Sequence, residues 1–333
     1  MTEGILDRLA KGNVLGDGGY IVELEQRGWV VTGAFTPEVV IHHPQAISEL
    51  HHEMANAGCE VLQVMAFYGS RGKLETVGEG DQTFEINRTA NRLAREAAGA
   101  DLLVAGDLST TWKWVAGDRE SDKLVAGMFD EQIEAQSDVD FYIGELFYDL
   151  GEAKICLQRI KALTRKPAMI TMSFRKELVS SDGFTAAECA RQLADAGAEI
   201  VGTNCMRDPI HTYPVIEAMR AATDHYIAAQ PVAYRTTDEI PWFTGSPAFP
   251  DRLEPTRLHR YDLADFAIRA REMGVSYIGA CCGCGAQHMR QMAHVLGKSQ
   301  EQMRWRPNPA APMSETEKNW ERIGAAERIS GGA

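Results

Sequence analysis

Three cysteines carry the most chemistry in this chain. Cys281 and Cys282 stand side by side where an apolar segment, residues 275–280, ends, and Gly283 follows them. Cys205 ends a second such segment, residues 199–204. Three thiolates projecting from the ends of two strands make a soft, three-ligand site. Zinc in such surroundings takes four ligands, so the fourth position is left for water or substrate, the layout of a catalytic rather than a structural centre. A Zn²⁺ ion held by three thiolates is electron-rich and a poor activator of water. It suits a substrate thiol, whose unperturbed pKa of about 8.5 coordination lowers.

The remaining cysteines read differently. Cys59, Cys156 and Cys189 are isolated in apolar stretches and are expected to be small buried hydrophobes. Cys284 could close a four-thiolate structural site, which would make this a non-catalytic zinc-binding protein. It lies on the following turn or helix start, however, and is expected to point elsewhere. Redox work by the run 281–284 would leave Cys205 and the carboxylates without a role. Asp17, set between glycines, and Glu145, directly after an apolar run, are carboxylates suited to a ligand ammonium. The aromatics Phe35, Phe67, Tyr68, Phe147 and Tyr148 either line a pocket for a cationic group, whose charge ring faces attract, or form plain core.

Positioning these residues requires a scaffold. Strand-like runs at 13–16, 60–65, 102–106, 141–144, 168–172, 199–203, 226–230 and 276–280 are short and apolar on both faces, as in a buried parallel sheet. Between them lie helical patterns at 45–57, 87–98, 131–136, 152–163, 186–196, 212–222, 263–273 and 286–296, several closed by glycine. This alternation predicts an α/β fold, a (β/α)8 TIM barrel, over a doubly wound open sheet. No Gly-x-Gly-x-x-Gly follows the first strand; Gly16-Asp17-Gly18-Gly19 stands there instead. In a barrel the carboxyl ends of the strands carry the active site. Asp17, Tyr68, Asp107, Glu145, Cys205 and the Cys281–Cys282 pair follow strands one, two, three, four, six and eight, and so collect on one rim.

Residues 1–305 are expected to form the barrel domain. Residues 231–257, rich in Pro and aromatics, are too long for an ordinary connection and read as an insertion after strand seven, a lid or a subunit contact. Residues 306–333 read as a polar C-terminal tail or oligomerisation arm, which makes a homo-oligomer the expectation. A net charge of −13 argues against a nucleic-acid surface or an anionic membrane partner. No apolar run is long enough to span a bilayer, and the acidic start lacks a signal peptide's features, so a cytoplasmic location is expected.

The landmarks together resemble the homocysteine S-methyltransferase family, most of all its betaine–homocysteine branch. They are Gly16-Asp17-Gly18-Gly19-Tyr20, Thr36-Pro37-Glu38, Phe67-Tyr68-Gly69-Ser70, Gly202-Thr203-Asn204-Cys205, Gln230-Pro231 and Gly279-x-Cys281-Cys282-Gly283. The resemblance covers most of residues 12–297. It implies a (β/α)8 barrel, Zn²⁺ on Cys205, Cys281 and Cys282, homocysteine as the thiol, and a methylated onium small molecule as donor. Asp17 and Glu145 fall at substrate-binding positions, Gly18 offers backbone approach to the amino-acid end, and Tyr68 falls in the donor pocket. Phe35, Gln63, Phe67 and Asn204 complete the expected substrate contacts. Two positions depart from the betaine-using members: Phe35 stands where they have Trp, and Leu146 where they have Tyr. Trp112 and Trp114 are extra aromatics that either rebuild a cation cage or pack. Glycine betaine leads as donor. A sulfonium such as S-methylmethionine or dimethylsulfoniopropionate fits the same chemistry, and a corrinoid route would require a partner protein.

Overall fold

Short apolar strands, each followed by a helix with one buried stripe, close into a ring. The computed structural model describes residues 3–31 and 33–299. The strands are β1 (Val14–Leu15), β2 (Val61–Gln63), β3 (Leu103–Ser109), β4 (Phe141–Phe147), β5 (Ala168–Met172), β6 (Ile200–Asn204), β7 (Tyr226–Gln230) and β8 (Tyr277–Ile278). Each pairs in parallel with its neighbour in sequence from β2 to β8, and β8 pairs with β1. The remaining seam, β1 to β2, is closed by Glu60. Its backbone N–H donates to the Leu15 carbonyl over 2.9 Å, and its carboxylate accepts from the Leu15 N–H over 2.9 Å. A side chain thus stands in for a strand carbonyl where β1 is too short to supply a ladder. The expected (β/α)8 barrel is what forms.

Local sequence explains the helices. In Pro44–Ala57, Pro44 opens the first turn and Gly58 closes the last in a left-handed conformation (φ 102°). Its buried residues, Ala46, Ile47, Leu50, His51, Met54 and Ala57, recur at helical spacing. In Ala186–Asp195, Thr185 and Glu188 cap each other's backbone N–H groups. The helix Arg119–Ala135 begins twelve residues before the expected 131–136, because Asp118 caps it through the Glu120 N–H.

The barrel lumen is filled by alternate strand residues. Val14, Val61, Leu103, Ala105, Phe141, Ile143, Met169, Ile200, Ala228 and Tyr277 pack together, with Ile5 and Leu9 of the helix Ile5–Lys11 beside them. The intervening residues, such as Leu62, Val104, Tyr142, Ile170 and Val201, pack outward against the helices. Because side chains alternate along a strand, the next lumen positions toward the carboxyl ends are Gln63, Asp107, Glu145, Thr171 and Gln230, with Asn204 one period past Gly202. All are polar, and they floor the site.

β3 and β4 run three residues past their expected ends, and β1, β2 and β8 stop short of theirs. Asp107 and Glu145 lie within β3 and β4 rather than after them, because pairing continues to Ser109 opposite Glu145. The insertion after β7 lies over the rim, joined by an antiparallel bridge between Tyr234 and Arg257. Among the described residues no helix is long and apolar enough to cross a membrane. The tail at 306–333 lies outside the described residues.

Candidate active site

Cys205, Cys281 and Cys282 converge. Their sulfurs all lie within 4.8 Å of one another, with Cys205 3.9 Å and Cys281 4.0 Å from Cys282. What brings the two loops together is the chain leaving β7. The Gln230 carbonyl accepts from the Cys205 N–H, the Pro231 carbonyl accepts from the Cys281 N–H, and the Ala233 N–H donates to the Cys282 carbonyl. Metal–sulfur bonds of about 2.3 Å at tetrahedral angles would separate sulfurs by roughly 3.8 Å, close to the 3.9 and 4.0 Å separations from Cys282, so the donor set suits a zinc ion. The three thiols are close enough to share hydrogen bonds, and their interactions with Cys205 set which sulfur ionises first. This holds the Cys205 thiol well below its usual pKa and raises the other two. Cys284 does not join the cluster. Its side chain is buried in the helix–sheet core, where desolvation raises its pKa.

Close backbone approach is needed on both sides of the cysteine loop. A Cβ on Gly19 would lie 2.6 Å from the Cys281 carbonyl oxygen, and one on Gly283, which has φ +83°, 2.7 Å from the Tyr234 ring. Gly18 and Gly19 therefore let the exit of β1 lie directly against the cysteine loop.

A first cavity opens below the sulfurs. Gly18, Gly19, Gln63, Asp107, Glu145, Gln230, Cys281 and Cys282 line it, and Phe35 and Phe67 form part of its wall. Glu145 is at its centre, accepting from Gln63 Nε2 (2.8 Å) and Asn204 Nδ2 (2.5 Å). The Asn204 amide cannot turn round, since its Oδ1 accepts from the Leu146 N–H (3.0 Å) and from Thr171 Oγ1 (2.8 Å). Asp17 sits one step behind: its Oδ2 accepts from the Gln63 N–H (2.7 Å) and from the Tyr20 hydroxyl (2.8 Å), which also contacts His51 Nδ1 (2.9 Å). Burial raises the Asp17 carboxyl to about 6. Burial also raises Asp107 and Glu145, with repulsion from Asp17 acting on both and from Asp107 on Glu145, so the pair holds a proton that free carboxylates would lose. Buried Asp107 Oδ1 and Gln230 Oε1 have no hydrogen-bond partner. These are acceptors facing an enclosed space, the arrangement that receives a cationic group.

A second cavity, of about 330 Å³, lies above the sulfurs and shares Phe35, Phe67 and Cys282 with the first. Its walls are aromatic: Tyr68, Trp112, Tyr148, Trp242, Phe243 and Phe249 join the shared rings. Trp112 stands edge-on to Tyr68 and tilts over Tyr148. Trp114 does not enter this space. It packs over Gly151 and donates its indole N–H to Asp122. Phe147, considered from the sequence as a pocket aromatic, is fully buried in the outer core, edge-on to Phe129. The position after Leu146 faces outward there, and Tyr148 is the neighbour that reaches the cavity.

Phe35, Tyr68, Trp112, Leu146, Cys205 and Met206 all line the second cavity, and all have left-handed backbone, with φ between 54° and 62°. Such conformations cost about 1 kcal/mol or more apiece outside glycine. Contacts from elsewhere hold them; Ser109 Oγ, for instance, accepts from the Tyr68 N–H (2.9 Å).

The sequence reading leaves several wall residues out of the set of substrate contacts. Asp107 stands in it only as a rim residue, and Gln230 only as part of a motif. Polarity at period two from the apolar lumen residues is the signal that would have found both. Trp242 and Phe249 come from the insertion, whose path no local pattern reveals.

The homocysteine S-methyltransferase family profile matches residues 14–296. Betaine–homocysteine S-methyltransferase 1 of Danio rerio is 38% identical over 309 residues, covering 88% of this chain and 75% of the relative. The S-methylmethionine–homocysteine S-methyltransferase of Pongo abelii is 37% identical, covering 88% and 81%. The structure resembles the metallated homocysteine methyltransferase MmuM of Escherichia coli with a TM-score of 0.69 at 19% identity, covering 85% of this chain and 96% of that one.

Proposed function

Since this chain belongs to the homocysteine S-methyltransferase family, we propose that it binds Zn²⁺ on Cys205, Cys281 and Cys282 and methylates homocysteine from an onium donor, glycine betaine first. The observation that carries this reading is the junction at Cys282. Sulfur ligands open into a carboxyl-lined cavity on one side and an aromatic cavity on the other. A zinc ion bound there would supply the Lewis acidity that keeps a substrate thiol ionised near neutral pH.

The residues divide the remaining work. Glu145, oriented by Gln63 and Asn204, receives the homocysteine ammonium, with Asp107 beside it. Asp17 acts through the backbone of Gln63. Gly18 and Gly19 let the amino-acid end approach main chain. Phe35, Phe67, Tyr68, Trp112 and Tyr148 present ring faces to the donor cation and exclude water. The homocysteine sulfur then attacks the methyl carbon in line and displaces the demethylated amine. A sulfur–carbon bond forms, the carbon–nitrogen bond breaks, and its electron pair stays on nitrogen. Two opposite charges are consumed in a space with little water, so alignment and desolvation supply most of the acceleration.

Relatives named for betaine and for S-methylmethionine are 38% and 37% identical to this chain, so overall similarity does not choose between an ammonium and a sulfonium donor. A methyl-transfer assay decides it. Zinc-loaded, reduced protein and homocysteine are incubated with glycine betaine, dimethylglycine, S-methylmethionine, dimethylsulfoniopropionate or a methylated corrinoid. Methionine from betaine supports the reading; methionine from another donor alone replaces betaine; none from any donor sinks the homocysteine assignment.

A further inference from the structure

The aromatic cavity contains two cationic side chains that a site for a simple cation would exclude. Lys73 and Arg175 both line it. The Lys73 ammonium lies 4.7 Å from the centre of the Tyr68 ring, and the Arg175 guanidinium 5.2 Å from that of Trp242. Among the described residues neither has an ion-pair partner within 4 Å, although the surface is rich in acids. Partial burial lowers the Lys73 pKa, the response of an ammonium short of counter-charge. Neither residue belongs to the wall shared with the acceptor cavity; Phe35, Phe67 and Cys282 do. The cavity therefore has an aromatic, sulfur-facing end and a part of its wall that is positively charged.

We infer that Lys73 and Arg175 form the subsite that receives the donor's carboxylate while the onium methyl faces Cys282. This rests on the methyltransfer reading above and names the residues that select a carboxylated donor over a bare onium ion. A bare onium ion would meet net repulsion from two uncompensated cations in a partly desolvated space. A carboxylate on the same molecule cancels it and gains charge-assisted hydrogen bonds. The guanidinium fork of Arg175 suits a carboxylate better than the Lys73 point charge does, so Arg175 is assigned the larger share.

Trp112 and Trp242 line the cavity, so donor binding can be read from tryptophan fluorescence of the intact protein without turnover. Titrations would compare glycine betaine and dimethylsulfoniopropionate with tetramethylammonium and trimethylsulfonium, which lack a carboxylate. The wild-type protein should bind the carboxylated compounds at least tenfold more tightly. Arg175→Gln should reduce that preference about tenfold and Lys73→Gln a few-fold. Neither should weaken tetramethylammonium binding, and Arg175→Lys should restore part of the preference. Equal affinity for both classes in the wild type overturns this inference alone. Equal weakening of both classes by Arg175→Gln also overturns it, since that is the signature of a structural role. Binding of no onium compound at all overturns the methyl-donor reading together with it.

Discussion

The two cavities that meet at Cys282 are built in opposite ways. The acceptor side is made of lumen-facing side chains near the carboxyl ends of strands: Gln63, Asp107, Glu145 and Gln230. Hydrogen bonds orient its central carboxylate, and its buried carboxyls are poised for a cation. The donor side is made of loops, from 33–35, 67–73, 112, 175, 206 and 242–249, and of residues in left-handed backbone. The difference teaches where specificity can change. A strand position is fixed by register, and replacing it disturbs the barrel. A loop aromatic can be exchanged for another from a different loop: Phe35, Tyr68, Trp112 and Tyr148 reach the same space from four separate segments.

Breaking the junction itself should have the largest effect. Cys282→Ala, or exhaustive chelation of the wild type, should lower methionine formation by more than about a thousandfold, with zinc content by atomic emission falling in parallel. Cys284→Ser should keep its metal, since that thiol lies in the core; loss of zinc from it would contradict the three-sulfur centre.

On the acceptor side, Glu145→Gln should raise the homocysteine KM about ten- to a hundredfold, the loss of a charge-assisted hydrogen bond worth about 1.5–3 kcal/mol. The donor KM should move little. A comparable change in both constants would mean the cavities are not separate.

Asp17 tests what that side costs in stability. Its carboxyl is raised by burial from 3.8 to about 6. The native state therefore holds the proton more tightly than the unfolded chain. Stability from this group is fully present below about 4 and is lost as pH rises through about 6. Asp17→Asn should abolish that loss, making the protein up to about 3 kcal/mol more stable at pH 7.5 but not at pH 3.5, measured by urea unfolding.

The smallest effect belongs to the donor side. Trp112 is 56% exposed, so Trp112→Ala should raise the donor KM only about two- to fivefold and leave that of homocysteine unchanged. Trp114→Phe should leave both unchanged. A shift in donor KM from Trp114→Phe alone would reverse the roles of the two indoles.

Much of this was legible before folding was considered, and the reasons are local. The β/α alternation announces a barrel because burial on both faces makes parallel strands read as short apolar runs. Three thiols at strand ends announce a cluster with the chemistry to hold a soft metal, because ligand chemistry belongs to residue type, and the three sulfurs do converge. Period two then places the polar residues beyond Val61, Ala105, Ile143 and Ala228 in the lumen. The tertiary structure decided the rest. The chain leaving β7 joins Cys205 to a pair 76 residues away through three backbone hydrogen bonds. Tyr148 and Trp112 reach the second cavity while Phe147 and Trp114 pack away from it, beside left-handed residues at Leu146 and Trp112. Six non-glycine residues stand in left-handed backbone around one cavity, and no residue type there signals it. Periodicity and ligand chemistry are properties of a short stretch of chain, whereas a loop's path is set by what it packs against.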